Sequence, residues 1–272
     1  MTGGHRYEAM FRRLRERGEG AFVPFVVLGD PDPDVSLQIV RCLVSAGADA
    51  LELGLPFSDP VADGPAIQAA CGRALASGAR PEDAWRIVAA LRAEAPDLPI
   101  GLLVYANLVV HQGYGAFCAR AAGAGADSVL VADLPVAESA PLEQACVARG
   151  IDMVLIAPPG ADDARLRRIA RRSRGYVYVT SRPGVTGADE HLRPDAAAVI
   201  RRLHALESPP PLLGFGVASP AHVRGALKMG AAGAIAGSAL AERIARNRED
   251  PPRLIALLQE MVKEMKAATL PA

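Results

Sequence analysis

The sequence predicts an α/β chain of the (β/α)8-barrel class, and three observations predict it. Short apolar runs recur eight times, at residues 22–28, 50–55, 100–105, 128–132, 153–157, 176–180, 212–215 and 234–236, with segments of helical composition between them. A quasi-repeat leads into three of these runs: Ala46-Gly47-Ala48-Asp49 before the second, Ala124-Gly125-Ala126-Asp127 before the fourth and the variant Met229-Gly230-Ala231-Ala232 before the eighth. No composition shift or linker divides the series, which favours one closed barrel over residues 1–272, with an open doubly wound sheet as the alternative.

Taken in order, residues 7–17 form a helix-like start within an N-terminal cover spanning 1–18, ahead of the first run. Segments 35–46, 81–95, 114–124, 138–149, 162–173 and 194–206 have the length and composition of crossover helices joining parallel strands. In each quasi-repeat the glycine sits where a helix ends, so Gly47, Gly125 and Gly230 are expected in the left-handed conformation that turns the chain into the next strand. At the other end, Leu254, Leu257, Leu258, Met261, Val262 and Met265 share one face of a C-terminal helix over 251–267 that covers the barrel.

Composition excludes several functions. The 30 basic residues balance 30 acidic ones, so there is no electrostatic footprint for nucleic acid or an anionic membrane. Half the residues are hydrophobic, enough for a large core, yet no run reaches the length of a membrane span and the start lacks the apolar stretch of an export signal. Four scattered cysteines without a C-x-x-C pair predict a reduced, cytoplasmic protein. The five histidines are isolated, so no metal site is expected, and neither a dinucleotide nor a P-loop glycine motif occurs.

Within residues 50–55, alternation sends Leu51, Leu53 and Leu55 to one face and Glu52 to the other, which is the interior of a barrel. Burial favours the protonated carboxyl, as suits a general acid or base; the alternative is a structural ion pair or hydrogen-bond network. The following loop adds Asp59 and Asp63 on the face where barrel active sites lie. Asp63 can equally cap the helix begun by Gly64-Pro65, and Asp59 before Pro60 can simply shape a turn. Glycine pairs follow the last three strands, at Gly184 and Gly187, Gly214 and Gly216, and Gly237-Ser238; with a helix N-terminus near Ser238 they predict a phosphate site.

The chain resembles the alpha subunit of tryptophan synthase from about residue 7 to its C-terminal helix. The most specific segment is Leu51-Glu52-Leu53-Gly54-Leu55-Pro56-Phe57-Ser58-Asp59-Pro60-Val61-Ala62-Asp63-Gly64-Pro65, supported by segments 20–25, 105–107, 127–133, 184–187 and 214–216. The resemblance implies a barrel lyase that cleaves indole-3-glycerol phosphate to indole and glyceraldehyde 3-phosphate without a cofactor of its own. It implies that Glu52 is the general acid/base at indole C3 and the glycerol hydroxyl, and that Asp63 bonds the indole nitrogen. Gly187, Gly216, Gly237 and Ser238 would bind phosphate, with Thr186 on a lid. Phe25, Leu103, Leu130, Ala132, Ile156, Tyr178 and Phe215 would line the indole pocket. A pyridoxal-phosphate-dependent beta subunit would be the partner in an alpha2beta2 heterotetramer, docking partly through Pro56, Asp59 and Pro60 and receiving the indole.

One position departs from the family pattern: Pro183 precedes Gly-Val-Thr-Gly, fixing its own φ and restricting Arg182, which predicts a stiffer hinge for that lid. Two other readings keep the same barrel. In one it acts on a different phosphorylated substrate; in the other it is chiefly an activating subunit for its partner, which coupled kinetics with a beta subunit distinguishes.

Overall fold

A computed structural model describes residues 3–180 and 195–271. Its strands are β1 (Ala21–Val27), β2 (Leu51–Gly54), β3 (Ile100–Val104), β4 (Ser128–Val131), β5 (Asp152–Ala157), β6 (Val177–Thr180), β7 (Pro211–Gly214) and β8 (Gly233–Ala236). Each pairs in parallel with the next, and β8 returns to β1 through Ala21 opposite Gly233, closing an eight-stranded barrel. The helices are α1 (Gly3–Arg17), α2 (Pro33–Ser45), α3 (Pro65–Ala76), α4 (Pro81–Glu94), α5 (Ala106–Gln112), α6 (Tyr114–Ala124), α7 (Ala140–Val147), α8 (Asp163–Arg172), α9 (Asp195–Ala205), α10 (Pro220–Lys228), α11 (Ser238–Asn247) and α12 (Pro251–Ala267). None among the described residues is long and apolar enough to cross a membrane.

Alternation along the strands separates two cores. Leu51, Leu53, Val129, Val131, Val177 and Val179 point outward and pack with the helices. Val23, Phe25, Leu130, Val154, Tyr178, Leu212 and Ile235 point inward and fill the barrel. Helix α1 adds Tyr7, Met10, Phe11 and Leu14 to the inner cluster, stopping the barrel at the N-terminal ends of its strands. Helix α12 buries Leu254, Leu258, Met261, Val262 and Met265 in the outer layer beside α2 and α11, while Leu257 is half-buried.

The quasi-repeats do two jobs. Gly47, Gly125 and Gly230 have φ of 102°, 95° and 91°, the left-handed turn expected of them. The aspartates that close two of the repeats then tie neighbouring strands together. Asp49 accepts the Phe22 N–H at 2.9 Å, and Asp127 accepts the Ile100 N–H at 2.8 Å while pairing with Arg6 and Arg92 at 2.7 and 2.6 Å. These carboxylates are buried but fully engaged, which makes them structural.

Some expected boundaries differ. The helix predicted over 138–149 is a 3-10 turn, Val136–Glu138, followed by α7, because Pro141 in the first turn of α7 lacks an N–H and cannot continue a helix from upstream. Helices α5 and α10 have no counterpart among the predicted segments; α10 is capped by Ser219, whose hydroxyl accepts the His222 N–H at 3.3 Å, and begins at Pro220. The last apolar run before the eighth strand ends one residue early, since Phe215 has φ 64° and leaves β7.

Candidate active site

Glu52 lies on β2 opposite Phe25 of β1, its side chain inside the barrel and 1% exposed. The Tyr176 hydroxyl donates to Oε1 at 2.5 Å, while Oε2 has no hydrogen-bond partner among the described residues. Burial raises the carboxyl from 4.5 to about 7; the Tyr176 bond opposes that rise and the nearby charge of Asp63 adds to it. No cation pairs with Glu52 among the described residues, so the ion-pair alternative finds no support among them.

Asp63 sits on the loop from β2 to α3 and is 7% exposed. It does not cap α3: the N-cap is Gly64, and Pro65 takes the first helical position, where a missing N–H costs nothing. Its carboxylate instead accepts the Tyr105 hydroxyl at Oδ2, 2.7 Å away. Burial pushes this group up to about 6, against the lowering effect of that bond. Asp59 does shape a turn, its carbonyl accepting the Val61 N–H at 2.8 Å, and the Pro60 carbonyl accepts the Asp63 N–H at 3.0 Å. In the same loop Pro56 is half-buried, Asp59 exposed and Pro60 buried, so Pro60 faces the protein.

Both carboxylates line one cavity that opens at the C-terminal ends of the strands. Phe25, Leu103, Ala132, Ile156, Tyr178 and Phe215 share its walls. Leu130 is 1% exposed and packs within the barrel's inner cluster, in register with the cavity-lining Leu103 of β3. Ala62, Ile67, Val217 and Ile235 also line the cavity and were not singled out from the sequence. The inward parity of Ile235 on β8 was a readable signal; Ile67 needed the placement of α3.

Gly216, Gly237 and Ser238 meet at one end of the same cavity, with Ser238 opening α11 so that the helix N-terminus faces it. Gly216 has φ 76°. At Gly237 a Cβ would come within 2.9 Å of the Phe25 ring, so the glycine is needed for close packing as well. Gly187, Thr186 and Pro183 lie outside the described residues. Tyr178 and Phe215 meet edge to face at 5.9 Å, and the Phe215 backbone bonds the Tyr178 hydroxyl.

A closed barrel that brings two desolvated carboxylates and a helix N-terminus to one apolar cavity has the architecture of a (β/α)8-barrel enzyme. Residues 11–270 match the family model described as the tryptophan synthase alpha chain. The chain belongs to the tryptophan synthase alpha chain family. It is 53% identical over 264 residues to the tryptophan synthase alpha chain of Shewanella oneidensis, covering 97% of this chain and 95% of that one. The Escherichia coli (strain SMS-3-5) protein of the same name is 50% identical over 264 residues, with 97% and 98% covered. Among solved structures, Mycobacterium tuberculosis tryptophan synthase superposes with a TM-score of 0.87 at 30% identity, covering 98% and 99%. A chain of the tryptophan synthase α2β2 complex of Pyrococcus furiosus gives 0.84 at 35% identity, covering 92% and 98%.

Proposed function

We propose that Glu52 and Asp63 carry out the reaction of this family, the retro-aldol cleavage of indole-3-glycerol phosphate to indole and glyceraldehyde 3-phosphate. The observation that carries the assignment is their convergence: the only carboxylates among the described residues that line the cavity, they share apolar walls that suit an indole ring. Cleavage requires a proton at indole C3, an acceptor for the hydroxyl proton of the carbon that becomes the aldehyde, and a partner for the indole N–H as positive charge develops on nitrogen. Protonated Glu52 delivers the first proton. Its carboxylate then takes the hydroxyl proton as the C–C bond breaks, and the bonding pair returns to the indole ring, so no net proton is consumed. Asp63, ionised, accepts the indole N–H throughout. The two roles match the order of their acidities, about 7 for the acid and about 6 for the acceptor.

Gly216, Gly237 and Ser238, together with Gly187, are read as the phosphate cradle, the helix N-terminus of α11 favouring the anion. The steps above move only protons and one electron pair, so they call for no cofactor in this chain. Pyridoxal phosphate belongs, on this reading, to a beta subunit that receives the indole for L-tryptophan synthesis in an alpha2beta2 assembly. The similarity to the Pyrococcus furiosus complex supports that partner, and the loop carrying Pro56 and exposed Asp59 is the proposed contact. Four buried, unbridged cysteines support a cytoplasmic setting.

The test is indole release from indole-3-glycerol phosphate by the purified chain, alone and with a beta subunit, beside Glu52→Gln and Asp63→Asn. Each folded variant is expected to lose about 10²- to 10⁴-fold in turnover. Full activity in either variant removes that residue from the mechanism.

A further inference from the structure

We propose that Tyr105 is the positioning residue for Asp63, holding the loop between β2 and α3 at three points and thereby aiming the carboxylate at the indole N–H. The inference rests on the role given to Asp63 above and extends it to a side chain that is not among the cavity's lining residues.

Asp63 needs such a device because it lies on irregular chain, where no strand ladder sets its direction. Turns between Asp59 and Asp63 and the bond from the Gln68 side chain to the Asp63 carbonyl, 2.7 Å, hold its backbone but leave its carboxylate free to rotate. Tyr105 supplies what is missing. Its hydroxyl donates to Asp63 Oδ2 at 2.7 Å and accepts the Ala62 N–H at 3.1 Å. Its ring stacks on Phe57, 5.2 Å between centroids at 25°. The Ala62 donor matters chemically: an N–H can only give, so it occupies a lone pair of the phenol oxygen and commits the single O–H proton to the carboxylate.

Tyr105 is itself anchored. It is buried at the end of β3, its carbonyl accepts the Leu108 N–H at 3.1 Å as α5 begins, and the adjacent Ala106 N–H donates to Asp133 Oδ1 at 2.7 Å. A rigid strand end therefore dictates the geometry of a loop residue, the usual requirement for precise placement of a reacting group.

Tyr105→Phe keeps the ring stack and removes the hydroxyl. Wild type, Tyr105→Phe, Asp63→Asn and the double variant are compared for kcat and KM of indole release, and for binding of a non-cleavable indole-3-alkyl phosphate, across pH. Tyr105→Phe is expected to lower kcat/KM by roughly ten- to a hundredfold, the range for one hydrogen bond to a charged group. Its acidic limb should move to higher pH, because a donor to the carboxylate has gone. In the Asp63→Asn background the same change should weaken analogue binding less than about twofold. An equal loss in both backgrounds, or an unmoved acidic limb, overturns the proposal and leaves Tyr105 a packing residue. Wild-type turnover and binding in Asp63→Asn overturns the parent assignment and this one together.

Discussion

The Tyr176 hydroxyl and the Glu52 carboxyl meet at 2.5 Å inside the barrel, Glu52 on β2 and Tyr176 just ahead of β6, 124 residues apart in sequence, and the bond engages one carboxyl oxygen only. Oε2 has no partner among the described residues, and Glu52 lines the cavity. The tyrosine fixes the side chain and restrains the rise in its pKa, and in the mechanism proposed above the second oxygen is the one that exchanges the proton. Asp63 has the corresponding arrangement with Tyr105, so each carboxylate of the site is held by one phenol.

With Asp63 required ionised and Glu52 required protonated, kcat/KM should follow a bell, rising through about pH 6 and falling through about pH 7. Tyr176→Phe removes a bond that lowers the Glu52 pKa, so its alkaline limb is expected to shift to higher pH while the acidic limb stays. A pH–rate profile that keeps its alkaline limb in this variant would separate that limb from Glu52.

Gly214 closes β7 against the Tyr178 ring, and a Cβ there would overlap the tyrosine hydroxyl. In Gly214→Ala the ring has to move toward the cavity it lines, an overpacking worth about 1–3 kcal/mol. The expected result is a folded protein with KM raised about tenfold or more, measured beside the thermal midpoint. Unchanged KM would mean that the ring is accommodated elsewhere.

Asp152 opens β5 with a buried carboxylate whose Oδ2 has no partner among the described residues. Burial, with the charges of Asp127 and Glu8, raises it from 3.8 to about 6. A raised carboxyl is most stable protonated, so its cost to the fold grows as pH rises from about 4 to about 6 and is complete above that. Asp152→Asn should therefore stabilise the protein at pH 8, by up to about 3 kcal/mol, and leave it unchanged at pH 4. Urea unfolding at the two pH values checks this; equal effects at both would exclude titration as the cause.

Much of this architecture is legible in one dimension because it depends on local periodicity. The inward direction of Glu52 follows from the parity of a strand, and the turns at Gly47, Gly125 and Gly230 from a residue type that tolerates positive φ. Asp63 is different: its loop position puts it on the active-site face, but its neighbours Gly64 and Pro65 are equally compatible with a capping role, and only the family segment gave it a part in the chemistry. The break before α7 is not legible in the sequence pattern, since composition does not register where a proline restarts a helix.

The order of the strands, their two-sided cores and the residue types available for acid–base chemistry are written in the linear pattern, because these rest on spacing of two to four residues. Tertiary structure alone decided which groups tune that chemistry. Tyr176 reaches Glu52 and Tyr105 reaches Asp63 only once the barrel has closed, and the acidities of both carboxyls are set by the burial that closure imposes. Desolvation and hydrogen bonding act over a few ångströms of space, a distance with no fixed relation to separation along the chain.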